Sequence, residues 1–384
     1  MSQLFSALVA AFVGFAASVA VVLAAAQAMG ATPGQAVSWV AGLAIAQAVA
    51  GLFLSWRHRM PIICAWSTPG AALIAATSGI DIAAAVGAFL AAAALMMATA
   101  AFRPLGALVE RIPMSIASAM LAGVIFRFVV AVFDEMRVQP VMVLTLLAAF
   151  LLARLWNPFL GVIAALAAGL ALAFGTGVAT LPAGAMALTE LTLIWPRIDL
   201  TTIVGVGIPL YLVTMAAQNL PGFAVLRASG YQPPTASCLF VTGLMSFLTA
   251  PTGAHMVNMA AISASICTGA DTHPDPAQRW KAGIWYALFY FAIAATAGML
   301  LALIVAMPKA LIVAVAGLGL VGSLTGALGQ AMSSDRDRFA AVVTFAVAAS
   351  SLSLFGIGSA FWSLVAGLAV LTLDHATGRL RSRS

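Results

Sequence analysis

The sequence predicts an all-α polytopic membrane protein with about fourteen transmembrane segments. Of the 384 residues, 63% are hydrophobic and only 7% are charged, and the mean hydropathy is +1.10. A soluble domain carries about 25% charged residues, so a water-facing surface cannot be built from this chain. The composition therefore excludes a soluble enzyme, a nucleic-acid binder and a disordered scaffold, and it makes the lipid bilayer the first expected partner.

Apolar runs between proline, glycine and charged residues give the spans. A bilayer core of about 30 Å needs roughly 20 apolar residues per helix. Backbone groups in lipid must be hydrogen-bonded internally, so runs rich in Ala, Leu and Val indicate helices. The predicted spans are 4–29, 36–55, 61–78, 82–102, 113–133, 139–154, 158–176, 201–226, 235–250, 252–269, 279–306, 309–330, 338–354 and 356–374. Loops this short leave no room for an extramembrane domain.

The basic residues predict the orientation. With both termini in the cytoplasm, thirteen Lys and Arg residues fall inside and only Arg137, Arg197 and Lys309 fall outside. This asymmetry follows the positive-inside rule. Arg127 lies within the fifth span, and we expect it to reach the outer interface or to pair with Asp134 and Glu135. The alternative is that Arg127 is a counter-ion for an anionic substrate.

The chain divides into two halves of seven spans, 1–176 and 201–384, joined by an outer linker at 177–200. An odd number of spans inverts the second half, as in many secondary transporters. The third span of each half contains a Pro-Gly interruption, at 69–70 and 251–253. The halves are also similar in that Pro113 and Pro308 lie at the start of the fifth span of each half.

The interruptions predict a site. Proline disfavours helix in the residue before it, so we expect Thr68 and Ala250 to be extended, with helices restarting after Gly70 and Gly253. Each restart leaves free N–H groups and a partial positive charge. Two such ends in an inverted repeat would converge on one anion-binding point.

Few polar residues lie deep in the spans. Gln218 and Asn219 are tandem amides in the eighth span, where they are costly unless they face a cavity. His255 and Asn258 follow the second interruption at i, i+3, which would place them on one face of a restarted helix. His255 is either a hydrogen-bonded core histidine or a functional group. The pair Gly322 and Gly326 has the spacing of close helix packing.

No acidic residue lies at the centre of a span, which disfavours a sodium site or a carboxylate relay and leaves an anionic substrate unopposed. Cys64, Cys238 and Cys267 are expected to be buried, unreactive thiols, and no Cys/His spacing predicts a metal site. No cofactor is expected.

Three segments resemble the bacterial benzoate–proton symporter family: 65–71, 218–223 and 253–262. The resemblance implies uptake of benzoate with protons across the bacterial inner membrane. It also implies a uracil-transporter-like fold, with a core domain from spans 1–4 and 8–11 and a gate domain from spans 5–7 and 12–14. Substrate would lie between the third and tenth spans. The sequence leaves the oligomeric state open, with a homodimer as one option.

The leading hypothesis is therefore a secondary transporter for an aromatic carboxylate. Its expected substrate-binding residues are Trp66, Ser67, Thr68, Gly70, Gln218, Asn219, Thr252, Gly253, His255 and Asn258. His255 would carry the coupled proton, because it is the only deep side chain with an unperturbed pKa near working pH. The alternatives are an inorganic-anion exchanger or channel, or a carrier of another planar organic substrate, on the same fold. An intramembrane enzyme and a structural scaffold are weaker hypotheses.

Overall fold

The structure, a computed structural model, describes residues 3–16, 18–77, 79–102, 113–156, 160–179, 189–350, 352, 354 and 359–381. The first half contains α1 (Gln3–Ala16), α2 (Val19–Ala28), α3 (Pro33–His58), β1 (Cys64–Trp66), α4 (Thr68–Ala75), α5 (Ile82–Ala101), α6 (Met114–Met136), α7 (Pro140–Trp156) and α8 (Leu160–Gly175).

The second half begins with one long helix, α9 (Leu200–Arg227), which contains two π-helical turns. The elements that follow are α10 (Thr235–Thr249), β2 (Val257–Met259), α11 (Ile262–Thr268), α12 (Trp280–Ala295), α13 (Ala297–Val305), α14 (Lys309–Ala331), α15 (Arg338–Ala349) and α16 (Ser359–Arg381). Within the described ranges, these elements form fourteen segments in the predicted order. The prediction of an all-α polytopic membrane protein is confirmed, apart from two strands of three residues each.

By length and hydropathy alone, seven of the described helices could cross a bilayer, or eight if the bent pair α12 and α13 is one span. The axis of that pair turns by 67°. The other segments are shorter helices or the interrupted third and tenth spans. The third and tenth spans differ from the others because each contains a short strand and a short helix.

The two halves match in local detail. Pro113 and Pro308 are the N-cap residues of α6 and α14, with φ of −57° in both and ψ of 131° and 140°. Both helices have 23 residues, and they pack against each other. Proline suits a helix start because its missing N–H would have no partner there.

The interrupted spans differ from the prediction in where their helices break. Thr68 is not extended: it is the first residue of α4, and Ser67 is the N-cap. Ala250 is also helical and begins a 3-10 turn, Ala250–Thr252. The extended segments lie instead before α4 and between Gly253 and α11, where β1 and β2 pair with each other. Because this antiparallel pairing supplies backbone hydrogen bonds, it outweighs the local proline preference.

Prolines in α9 are accommodated by its π-helical turns. Ile203–Gly207 precedes Pro209, and Met215–Asn219 precedes Pro221. Proline cannot donate the usual hydrogen bond to the preceding turn, and the wider turn is the local adjustment that keeps the helix continuous. The second of these turns carries Gln218.

The helices pack in two groups. In one, α1 packs on α11 and α12, α3 on α10 and α12, and α5 on α10; in the other, α6 packs on α14 and α15, α7 on α8, and α15 on α16. The groups meet where α4 contacts α6 and where α2 contacts α14. Both β strands lie in the first group.

Gly253 adopts a conformation that other residues rarely tolerate, with φ of 92°, and a Cβ there would lie 3.2 Å from Trp39 Cε3. We expect Gly253→Ala to lower the unfolding free energy by about 1–2 kcal/mol, the cost of left-handed backbone. Thermal denaturation in detergent measures the change. Gly329→Ala is the control, because nothing lies within 4 Å of its Cβ position; an equal loss in both variants would contradict this explanation.

Candidate functional site

The third and tenth spans meet where β1 pairs antiparallel with β2, and we call this place the strand crossing. Ala65 pairs with Asn258, and Trp66 pairs with Val257. Ser67 N–H donates to the Met256 carbonyl oxygen (2.9 Å), which extends the pairing to the start of α4. The strands thus hold the starts of two short helices, α4 and α11, on either side of one region.

A cavity of about 400 Å³ borders this crossing. Its walls come from α1, β1, α4, α9, α11, α12 and α14, together with residues just after α1 and just before α11. The lining residues are Val13, Gly14, Ser18, Ala65, Trp66, Thr68, Ala217, Gln218, Pro221, Ala260, Ala261, Ile262, Ser263, Tyr290, Gly319, Leu320, Gly322 and Gly326. The described wall contains no carboxylate and no basic side chain, so its polar groups are neutral.

Trp66 forms an aromatic wall that its neighbours hold in place. Its indole N–H donates to Ser18 Oγ (2.7 Å), and Ser18 Oγ donates to the Gly14 carbonyl oxygen (2.6 Å). The indole meets the Tyr290 ring edge-on, with centroids 5.8 Å apart, and lies 5.9 Å from the Phe15 ring. A fixed aromatic surface of this kind can pack against a planar ligand.

The short helices α4 and α11 differ in how the N–H groups of their first turns are hydrogen-bonded. In α4, Ser67 Oγ accepts from Gly70 N–H (3.1 Å), and Pro69 has no N–H to offer. In α11, the N-cap residue is Ala261, whose side chain cannot accept a hydrogen bond. The first-turn N–H groups of α11 are therefore the less satisfied ones, and they are the better donors to a ligand.

His255 lies outside the cavity lining and is fully buried. Its Nδ1 accepts from the indole N–H of Trp39 (3.0 Å), and its Nε2 lies 2.9 Å from the Ser67 carbonyl oxygen. Because an indole N–H only donates and a carbonyl only accepts, these contacts define a neutral imidazole with its proton on Nε2. His255 thereby ties α3 to the start of α4.

The prediction that His255 and Asn258 share a helical face is wrong, because the segment that carries them is extended. Asn258 lies in β2, buried; in the orientation that satisfies its amide, Nδ2 donates to the Met259 carbonyl oxygen and Oδ1 accepts from Ser67 N–H, each at 3.0 Å. Asn219 is also buried, and its Oδ1 accepts from Met259 N–H (2.9 Å). Both amides hold the strands in place.

Three of the ten predicted site residues line the cavity: Trp66, Thr68 and Gln218. The other seven lie around the crossing, outside that lining: Ser67, Gly70, Asn219, Thr252, Gly253, His255 and Asn258. The hydroxyl of Ser67 contacts α9, whereas that of Thr252 bonds within its own turn. Ser67 Oγ lies 2.9 Å from Thr214 Oγ1, and Thr252 Oγ1 donates to the Thr249 carbonyl oxygen (2.7 Å).

The sequence reasoning missed Ser18, Ser263 and Tyr290, as well as the glycines of α14. Tyr286 and Tyr290 are one turn apart in a mostly apolar helix, and that spacing is the signal that could have identified Tyr290. The prediction that Gly322 and Gly326 pack closely is wrong: nothing lies within 4 Å of either Cβ position. Both instead border open space in the cavity.

A second cavity of about 480 Å³ adjoins the first. Both are lined by Ala217, Gln218, Pro221 and Gly326. The second extends to Met114 and Gln330, at the start of α6 and near the end of α14. Gln218 therefore lies where the two cavities meet, so its amide can contact a ligand that moves between them.

Charged groups in the C-terminal part of α6 lie away from both cavities. Glu135 pairs with Lys309 (2.6 Å). The Arg127 guanidinium lies 5.5 Å from the centroid of the Phe128 ring. Arg127 lines neither cavity, which favours the interfacial interpretation over a role as substrate counter-ion.

The Trp39–His255 hydrogen bond can be tested on its own. Trp39→Phe keeps an aromatic ring but leaves Nδ1 of the buried His255 without a donor, which costs about 1–3 kcal/mol. We expect a lower thermal midpoint in detergent. Trp56→Phe, near the other end of the same helix, is the control because Trp56 is 55% exposed. Equal midpoints for the two variants would show that the bond contributes nothing.

Interrupted spans that meet beside a cavity within a helical membrane protein are typical of membrane transporters. The chain belongs to the benzoate membrane transport protein family, whose model matches residues 1–373. It is 36% identical over 365 residues to the inner membrane protein YdcO of Escherichia coli, covering 95% of this chain and 93% of that protein. It is 32% identical over 333 residues to the benzoate membrane transport protein of Acinetobacter baylyi, covering 86% and 84%.

Solved structures share the fold at low sequence identity. The transmembrane domain of the cyanobacterial bicarbonate transporter BicA matches with a TM-score of 0.62 at 14% identity, covering 95% of this chain and 96% of that one. SLC26A9 matches with a TM-score of 0.66 at 14% identity, covering 97% and 65%. The family and these neighbours are transporters, not enzymes, so the chain is a multi-pass membrane transport protein.

Proposed function

We propose that this protein imports benzoate or a similar aromatic monocarboxylate across the bacterial inner membrane, coupled to protons. The observation that carries the proposal is the cavity at the strand crossing, which combines one aromatic wall with neutral hydrogen-bond donors. Its volume of about 400 Å³ lies within the usual range for small-molecule sites. The family membership supports benzoate as the reference substrate.

The substrate carboxylate would bind between α4, α9 and α11. Thr68 offers a hydroxyl, Gln218 offers an amide, and the first turn of α11 offers N–H groups at Ile262 and Ser263. Hydrogen bonds to a charged acceptor are the strong ones. The absence of a carboxylate in the described cavity wall removes the repulsion that an anion would otherwise meet.

The ring would pack on Trp66, with the glycines of α14 opposite. Gly322 and Gly326 leave open space where side chains would fill the cavity. Because glycine has no side chain, this part of the wall leaves room for an aromatic ring. A hydrated inorganic anion gains nothing from such a surface.

Transport would move substrate between the two adjoining cavities. We propose that the first helix group, with both strands, forms the core domain, and that the second forms the gate domain. The second cavity opens toward Met114 and Gln330, the side that the arginine distribution assigns to the cytoplasm. Both termini would lie on that side. Cross-linking α4 to α6, which touch across the two groups, should stop transport and leave binding intact.

The route of the coupled proton is a separate question, for which the sequence proposes His255. Its two hydrogen bonds support a positioning role, because a proton on Nδ1 would have to break the bond from Trp39. His255→Gln distinguishes the two roles in proteoliposomes. Benzoate accumulation that persists under a pH gradient excludes His255 as carrier, whereas lost accumulation with retained binding assigns the proton to it.

Proteoliposome uptake tests the function. We expect labelled benzoate to accumulate when an inward proton gradient is imposed, and accumulation to collapse when a protonophore is added. Empty liposomes control for passive entry of benzoic acid. Uptake equal to that of empty liposomes at every pH would contradict the proposal.

An inorganic-anion exchanger on the same fold is the second candidate. The uncapped start of α11 favours it, as does the likeness to BicA and SLC26A9. Competition separates the two functions. Bicarbonate, chloride or sulfate should leave benzoate uptake unchanged if the cavity selects an aromatic ring, and any of them should displace benzoate if the site binds small anions.

A further inference from the structure

A third cavity, which we call the apolar crevice, lies between the two helix groups and has a volume of about 470 Å³. The helices α1, α2, α12 and α13 form one side of it, and α8 and α14 form the other. Of these, α13 packs on α3 and α12 and so belongs with the first group. Every described side chain that lines the crevice is Ala, Val, Leu, Ile, Met or Phe. The described wall therefore offers a ligand no side-chain hydrogen bond.

The apolar crevice and the cavity at the strand crossing lie on opposite faces of α1. Phe12 and Phe15 line the crevice, whereas Val13 and Gly14 line the cavity. The Phe15 ring also lies 5.9 Å from the ring of Trp66, which is the aromatic wall of the cavity. At this point two packed aromatic rings separate the two spaces.

The crevice is continuous with the apolar outer surface of the helices. Phe12 and Phe174 line it and are 49% and 40% exposed, and Leu8, one turn before Phe12, is 44% exposed. In a multi-pass membrane protein such a surface faces the acyl chains of the bilayer. Met307, which also lines the crevice, lies in the turn between α13 and α14. The crevice thus reaches from the hydrocarbon region to the level at which these helices end.

The chemistry of the wall decides what can occupy it. A bound water needs several polar partners, and a carboxylate without hydrogen bonds is costly to bury. An acyl chain needs neither, since lipid tails are as apolar as the leucine side chains around them. Filling the space also restores dispersion contacts that wall atoms facing a void would lose.

We propose that the apolar crevice is a binding site for one acyl chain of a membrane phospholipid. The chain enters from the surface that Phe12 and Phe174 share with the bilayer, and the headgroup lies at the level of the turn between α13 and α14. Because the walls come from both helix groups, the bound chain contacts both groups at once. It also packs on Phe15, the ring that contacts Trp66. The site does not depend on which substrate the protein carries.

Photolabelling of the full chain in a bilayer tests the proposal. The purified protein is reconstituted in vesicles of phosphatidylethanolamine and phosphatidylglycerol, with a trace of phosphatidylglycerol that carries a diazirine in one acyl chain. We expect adducts on Leu303 and Leu311, which line the crevice. Leu311 is only 1% exposed, so lipid on the outer surface cannot label it. Leu144, which is 52% exposed on α7 and outside the crevice, is the internal reference for surface lipid.

Filling the crevice should exclude the chain. Leu170 lies on the α8 wall, and in Leu170→Trp the adducts on Leu303 and Leu311 should be lost while those on Leu144 remain. Leu170→Ala is the matched control, because it removes the same leucine without filling the space, and it should keep all three adducts. If Leu170→Trp does not fold, Leu300→Trp on the α13 wall gives the same comparison.

Three results would overturn the proposal. In the first, adducts form on Leu144 alone, as they would if a second copy of the chain covered the crevice. In the second, the adducts on Leu303 and Leu311 are unchanged in Leu170→Trp. In the third, a diazirine-bearing free fatty acid labels the crevice and the phospholipid does not. Failure of benzoate to bind would leave this site standing and overturn only the proposed function.

Discussion

Replacing Thr68 with Asp should weaken benzoate binding by about a hundredfold or more. The substitution adds a negative charge at the first residue of α4, on the wall of the cavity where the substrate carboxylate is proposed to lie. Two like charges about 5 Å apart repel by roughly 3 kcal/mol at an effective dielectric constant of 20. That energy corresponds to a factor of about a hundred in affinity.

The fold should tolerate this change. An acidic residue in the first turn of a helix interacts favourably with the helix dipole, so Thr68→Asp should not unfold α4. Thr68→Asn is the matched control, with the same shape and no charge. Benzoate binding to the purified variants is the measurement, with thermal denaturation run alongside. If the Asp and Asn variants bind benzoate equally well, the carboxylate does not lie near α4.

Replacing Trp66 with Leu should weaken benzoate binding by about tenfold. Contacts between aromatic groups contribute about 0.5–1.5 kcal/mol beyond the burial of area, and Leu also covers less of the ring. The loss should be larger for aromatic than for aliphatic carboxylates, because only the former use the indole face. Competition by acetate against labelled benzoate measures this selectivity.

Trp285→Leu provides the control for general effects of losing a tryptophan. Trp285 is on α12 but 40% exposed, and it does not line the cavity. Its replacement should leave the benzoate affinity unchanged. A Trp66→Leu variant with unchanged affinity would show that the ring does not pack on this wall.

Much of the fold could be predicted because it follows from hydropathy and from the positions of proline, glycine and charged residues. The starts of α6 at Pro113 and of α14 at Pro308 depend only on the local sequence. Proline ends one segment and favours the first turn of the next. The number and order of segments follow from the lengths of the apolar runs. The interruptions at Pro69 and Pro251 were visible for the same reason.

The site was harder to predict because its details depend on contacts between distant segments. The conformational preferences of proline and glycine predicted that Thr68 is extended and that His255 lies on a helix. In the structure, the pairing of β1 with β2 decides both, and no short-range pattern marks that pairing. The same limit explains Gly322 and Gly326: their spacing fits close helix packing, but only the tertiary arrangement shows that they border the cavity.

Some of the cavity residues have a local sequence signal, and others are brought to the cavity only by the packing of helices. Trp66 and Thr68 could be found because they lie at an interruption, and Gln218 because it is a polar amide within an apolar span. Tyr290 and Ser263 lie on α12 and α11 without such a mark. They reach the cavity because α1 packs on both helices and presents Gly14 at the point of contact.

The central claim is that an aromatic carboxylate binds between the interrupted spans, and binding of labelled benzoate to the purified protein tests it most directly. The parent and Thr68→Asn proteins should show saturable binding to one site per chain, and Thr68→Asp should show almost none at the same concentrations. The account is contradicted if the parent shows no saturable binding at millimolar benzoate, or if Thr68→Asp binds as tightly as the parent.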